Sequence, residues 1–178
     1  MLALAFANAD DRLREGSGIY IASGFAHMDK FVQVVDAVGW RFSTELVWVK
    51  NRFAMGWGHY HPQHEAIIYA MKGAPVRFYG GRDRTTVFGL ANVDGELTFT
   101  IPSPAANREH PTMKPPRLIF EHLRNSMQHG EIVLDMFAGS GSTMIAAEQL
   151  GASAYMIELD PVYAQVIIDR YHREIEGA

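Results

Sequence analysis

The stretch Ile132-Val133-Leu134-Asp135-Met136-Phe137-Ala138-Gly139-Ser140-Gly141-Ser142-Thr143 decides the fold. It reads as a strand, a glycine turn and the start of a helix. The apolar run before Asp135 has no polar alternation, which predicts a strand covered on both faces. Gly139 and Gly141 permit positive φ and let a ligand approach the backbone closely. The helix that follows, over residues 142–150, turns its free N–H groups toward the turn. A second short strand, residues 153–157, then leads to Glu158, 17 residues beyond Gly141. A carboxylate in that place can accept both hydroxyls of a ribose.

Several nucleosides fit this order, and the details narrow the choice. Met144 stands where a dinucleotide fingerprint needs its third glycine, and no Gly-Lys-Ser/Thr is present. Asp135 at the strand end would repel a pyrophosphate and suits a cation. S-adenosylmethionine (SAM), with its sulfonium and ammonium, is such a ligand. The plainer alternative is a strand–turn–helix that binds nothing.

Three motifs carry a resemblance to a known family. Residues 135–143, Asp-Met-Phe-Ala-Gly-Ser-Gly-Ser-Thr, resemble the SAM-binding motif of amino-group DNA methyltransferases. His110-Pro111-Thr112-Met113-Lys114-Pro115 resembles the family's His-Pro-Thr-x-Lys-Pro element, and Glu158-Leu159-Asp160-Pro161-Val162-Tyr163 its ribose-binding acid motif. Their order is that of the circularly permuted group, in which the cofactor half follows the catalytic half. The resemblance runs from about Gly16 to Arg173.

It implies an α/β, Rossmann-like SAM-dependent methyltransferase fold: a mostly parallel sheet flanked by helices, with an antiparallel hairpin at one edge. One domain over residues 1–178 is expected, with a DNA-side half at 1–109 and a SAM-binding half at 110–178. The implied cofactor residues are Asp135, Phe137, Ala138, Gly139, Ser140, Gly141, Thr143, Glu158 and Asp160. Thr112 and Lys114 are expected near the carboxylate end of SAM, where a lysine makes a sound charge pair. Taken alone, Lys114 would be an ordinary surface lysine.

A chain of 178 residues can bury a substantial core. Nearly half its residues are apolar, which argues against disorder. No cysteine is present, so disulfides and thiolate metal sites are excluded. The apolar start, Met1 to Ala7, is short, lacks a basic leader and runs into Asp10 and Asp11, so it reads as a helix rather than a signal peptide. No run approaches a membrane span. The cytoplasm is the expected compartment.

A net charge of −4 argues against nucleic acid, but the distribution argues for it. Between Lys50 and Leu90 stand six bases (Lys50, Arg52, Lys72, Arg77, Arg82, Arg84) and two acids (Glu65, Asp83). Phosphate contacts supply most of the affinity of a DNA enzyme, so a local basic region is what such a protein needs. A solvated loop with chance charge is the alternative.

Along the chain, residues 2–15 read as a helix and Ile19–Ala22 as a strand. His27 to Val38 has helical spacing, with Met28, Phe31, Val34, Val35 and Val38 on one side. Strands are expected at 45–50 and 66–71, where Trp48 and Tyr69 suit β structure. The loop between them is rich in glycine, aromatics and base. His59, His61 and His64 invite a metal reading, but they straddle Pro62 and share no regular element. By resemblance, Lys50 and His64 lie toward DNA; Arg52 is expected there as part of the basic stretch, and Tyr60 is a candidate to stack on an extruded base, with ordinary packing as the alternative. Residues 73–109 read as irregular, with a short strand at 98–101. A helix opens at Pro115-Pro116, its Leu118, Ile119, His122 and Leu123 facing the core. After Pro161 comes a last helix with Val162, Val166, Ile167 and Tyr171 as its buried stripe.

The implied reaction transfers methyl from SAM to an exocyclic amine of a double-stranded DNA base, N6 of adenine in preference to N4 of cytosine. The amine's lone pair is delocalised into the ring, so the base must be flipped out and its amine held by acceptors. The family supplies them from an Asp/Asn/Ser-Pro-Pro-Tyr tetrapeptide. The only adjacent prolines here, Pro115 and Pro116, are followed by Arg117. No catalytic residue is therefore assigned. In the permuted order the tetrapeptide and a central strand are expected before residue 1, on an upstream segment or another chain. The alternatives are a catalytically incomplete SAM-binding fragment or subunit, and a SAM methyltransferase with a substrate other than DNA.

Overall fold

The computed structural model describes residues 1–55, 57–89 and 113–177, with the Phe25 side chain left out. Thr112 and the strand expected at 98–101 lie outside them. The chain divides into two compact units, Met1–Thr100 and Ile101–Ala178.

The first unit opens with α1 (Leu2–Asp10), shorter than expected, then β1 (Gly18–Ser23) and α2 (Met28–Ala37). β2 (Arg41–Val49), β3 (His64–Met71) and the two-residue β4 (Val87–Phe88) complete it. The strand order is β1-β3-β2-β4. β3 is antiparallel to both β1 and β2, and β4 runs parallel to β2. The expected mostly parallel sheet is therefore mixed, and the hairpin is not at an edge. The reason is in β3. Ala66 to Met71 are all buried, the unbroken apolar pattern of an interior strand with both faces covered. β1 and β2 run in the same direction, joined through α2. β3 folds back from β2 and enters between them. β4 was not legible in the sequence, because two residues carry no periodicity.

α1 is anchored by aromatic and ionic contacts. The Phe6 and Trp40 rings stack 5.2 Å apart. The Trp40 indole N–H donates to Asp10 Oδ1 at 2.7 Å, and the Lys72 ammonium lies 3.0 Å from the same oxygen. The Asp10 carboxyl is held below its usual range by the Trp40 hydrogen bond first, opposed by burial and assisted by Lys72.

The second unit contains α3 (Pro116–Ser126), β5 (Ile132–Asp135), α4 (Ser142–Leu150), β6 (Ser153–Met156) and α5 (Pro161–Tyr171). β5 and β6 pair in parallel, Asp135 opposite Met156. Leu123 and Met127 of the α3 region, with Ala146 and Ala147 of α4, form a core against which Val133 of β5 and Ala154 of β6 pack. Leu118 and His122 are also buried, as their spacing predicts. Burial pushes the His122 imidazole down to about 4.

Two expectations are corrected here. β5 is not covered on both faces: Ile132 is 59% exposed, and Val133 to Asp135 are half-buried. The α3–α4 layer takes the side of the strand that carries Val133, and alternation turns its neighbours away from that layer. Val162 is 67% exposed and does not join the buried stripe of α5. It stands in the first turn of the helix. Ile167 and Arg170 are the fully buried positions.

Candidate functional site

The glycine loop leaves β5 at Asp135 and enters α4 at Ser142. Gly139 and Gly141 have φ of 55° and 79°, in the left-handed region. These two residues let the chain reverse between a strand and a helix within a few residues. Gly141 also lies against α5: a Cβ there would sit 3.0 Å from Ile167 Cγ2.

Asp135 and Glu158 hold this loop from its two sides. Asp135 Oδ1 accepts from the Phe137 N–H at 3.0 Å, an Asx turn, and Oδ2 accepts from the Thr143 hydroxyl at 2.6 Å. Glu158 Oε2 accepts from the Gly139 N–H at 2.7 Å, and Oε1 from the Asp160 N–H at 3.0 Å. The Ala138 N–H donates to the Ile157 carbonyl, tying the loop to the end of β6. Ionised carboxylates offer about four lone-pair sites each. Asp135 thus keeps acceptor capacity after these bonds.

The other residues singled out in this unit divide between surface and scaffold. Phe137 is 56% exposed and offers an apolar ring beside the loop. Ala138 and Ser140 are buried. Asp160 caps α5, accepting from the Val162 N–H at 2.8 Å. Lys114 is half-buried, and its carbonyl accepts from the Ser142 hydroxyl at 2.6 Å.

One residue at the loop escaped the sequence reading. Arg170 of α5 is 3% exposed. Its Nη1 donates to the Ser140 carbonyl at 3.0 Å, to Ser142 Oγ at 3.2 Å and to Ser140 Oγ at 3.4 Å. Its Nε donates to Glu174 at 2.6 Å. The signal was available: Arg170 lies three residues after Ile167, on the same helix face.

In the first unit, the structure gathers some of the residues expected to face DNA and separates others. A cavity of about 530 Å³ is lined by Gly24, His27, Lys50, Pro62, His64 and Glu65, among others. That size suits a small organic group. Lys50 is ion-paired with Glu65, and its ammonium lies 5.4 Å from the centre of the Trp48 ring. Arg52 and Tyr60 are exposed, Tyr60 at 95%, and neither lines the cavity. Lys72 is likewise paired, with Asp10. The basic stretch is thus less positive than its composition indicates. His59, His61 and His64 form no three-ligand cluster among the described residues. His61 instead stacks on Phe53 at 5.3 Å. No helix among the described residues is long and apolar enough to cross a membrane.

A family profile described as DNA methylase matches residues 4–169. The chain is similar to the type II methyltransferase M.HpaI of Haemophilus parainfluenzae, 25% identical over 178 residues. That match covers 93% of this chain and 56% of M.HpaI, so the chain spans little more than half of that relative's length. Among solved structures, the M1.HpyAVI–SAM complex aligns with a TM-score of 0.76 at 23% identity, over 95% of this chain and 81% of that one. The cytosine-N4-specific PvuII DNA methyltransferase aligns with a TM-score of 0.70 at 15% identity, over 98% and 76%. At these identities the structural likeness establishes the fold.

Proposed function

Starting from a chain that belongs to the DNA methylase family, we propose that residues 113–177 form the SAM-holding half of a DNA amino-methyltransferase. Asp135 and Glu158 carry this assignment. Asp135 ends β5, Glu158 lies two residues beyond its parallel neighbour β6, and both are bonded to one glycine loop. A carboxyl side chain at Asp135 suits a cationic ligand, and one at Glu158 suits a ribose. The Glu158 carboxylate stands where a ribose diol is expected, and Phe137 offers a face for an adenine. When bound, SAM supplies a methyl group activated by its sulfonium. The chain's own residues bind and orient it: Asp135 shapes the loop, Glu158 takes the ribose, and Lys114 is assigned to the amino-acid end.

The substrate we propose is an exocyclic amine of a base in double-stranded DNA, N6 of adenine preferred over N4 of cytosine. Support comes from the family and from Arg52, Tyr60, Lys50 and His64, which lie at or beside one cavity-bearing loop of the first unit. No residue of this chain is assigned as acceptor for the amine, because the Pro-Pro-aromatic tetrapeptide is not in its 178 residues.

Isothermal calorimetry with SAM tests the site. The 178-residue chain should bind saturably. Asp135→Asn and Glu158→Gln, which keep shape and remove charge, should each weaken binding about 10-fold or more, the loss of one charge-assisted contact. Unchanged affinity in both variants refutes the cofactor assignment. Analysis of methylated nucleosides after incubation with DNA decides between adenine and cytosine.

A further inference from the structure

We propose that Arg170 is a positioning residue for the cofactor loop, acting through Ser140 and Ser142. This rests on the SAM assignment above. A buried guanidinium is tolerated only where its charge and its N–H groups are satisfied. Arg170 meets that demand in a particular way. On the helix side it has one carboxylate, Glu174, a turn later in the π-helical segment His172–Glu176 that follows α5. On the loop side it has three acceptors, all from Ser140 and Ser142.

The bond to the Ser140 carbonyl matters most. Ser140 lies between two glycines in the left-handed region, the least restrained backbone of the loop. An N–H donor at 3.0 Å sets the orientation of the peptide between Ser140 and Gly141. The loop's N–H groups then face the ligand in one arrangement rather than several. Ordering them before binding removes an entropic cost from binding itself.

The bond to Ser142 extends the same control. Ser142 Oγ accepts from Arg170 and donates to the Lys114 carbonyl. A hydroxyl has one proton and two lone pairs, so both bonds form together. One side chain thereby links the glycine loop to the segment proposed to meet the other end of SAM. In this role Arg170 needs no contact with the ligand or the reacting atoms. Its effect is on where the residues that do so are held.

The test compares Arg170→Lys, Arg170→Met and Ser142→Ala with the parent chain. Three readouts apply: melting temperature, amide hydrogen exchange at residues 139–143, and SAM affinity well below the melting temperature. Positioning predicts that Arg170→Lys, which keeps charge but loses the fork, speeds exchange at 139–143. It also weakens SAM about 10- to 100-fold. Ser142→Ala should show a smaller change in the same direction. A merely structural role predicts a lower melting temperature with loop exchange and SAM affinity unchanged in the folded protein, and that result overturns the proposal. Where Arg170→Met does not fold, Arg170→Lys and Ser142→Ala decide. Should the parent chain bind no SAM, the cofactor assignment fails by itself. Loop exchange then judges the clamp alone, and unchanged exchange in both variants refutes it.

Discussion

Replacing Gly141 by alanine should cost about 3 kcal/mol of stability, and the cost can be divided. Gly141 has φ 79° and ψ 22°, and a non-glycine residue in the left-handed region costs roughly 1–2 kcal/mol. The added Cβ would lie 3.0 Å from Ile167 Cγ2 and 3.2 Å from Cγ1, so buried Ile167 must give way. Overpacking of that kind costs roughly 1–3 kcal/mol. Against both, alanine restricts the unfolded chain and returns roughly 0.4–1 kcal/mol. Ile167→Ala separates the contributions, because it removes both clashing carbons but leaves φ unchanged. Alone it should cost about 2–5 kcal/mol. Combined with Gly141→Ala it should cost less than the sum by about 1–3 kcal/mol, the steric share. Urea denaturation of the four proteins measures the cycle. A loss below about 0.5 kcal/mol for Gly141→Ala refutes the loop geometry, since that is the scatter of ordinary surface changes. Strict additivity refutes the contact with Ile167.

His122 is neutral when folded and titrates near 4, against 6.5 for the ordinary side chain. The unfolded state binds the extra proton between those values, so stability is whole above pH 6.5 and falls toward pH 4, by about 3 kcal/mol. His122→Gln should flatten that slope in denaturation curves taken from pH 7 to 4, and an unchanged slope assigns it to other groups. Trp40→Phe removes the main bond that lowers the Asp10 carboxyl, so an NMR titration should find Asp10 moved up toward 3.8. Asp10 contributes stability above that pH and loses it as pH falls, so the variant loses acid resistance; an unmoved titration excludes the Trp40 bond as the cause. On DNA, Arg52→Ala should reduce the slope of log affinity against log salt by about 0.9. Lys50→Ala should reduce it less, because Glu65 already shares its charge. Equal reductions would show that the ion pair opens on DNA.

The loop, both acids and the helices around them were readable because each is a local signal. Glycine, a strand-ending carboxylate and helical spacing act within a few residues. Asp135, Gly139, Gly141 and Glu158 were named from that logic alone, and the structure bonds both acids to the loop that carries the two glycines. Lys50 shows the limit. Its positive charge is plain in the sequence, but its pairing with Glu65 depends on β2 and β3 lying side by side. Asp160 is a similar case: a predicted ligand residue that the structure uses to cap a helix.

The sequence by itself determined the α/β class, the main helices and strands, and the glycine loop with its two flanking acids. Those follow from periodicity, turn residues and charge, which act over short distances. Only the tertiary structure decided that β3 enters between β1 and β2, that Lys50 and His64 share a cavity, and that Arg170 clamps the loop. Strand order, cavity lining and burial of a charge join residues far apart in the chain. Such pairings depend on which surfaces pack together, and no local pattern encodes that.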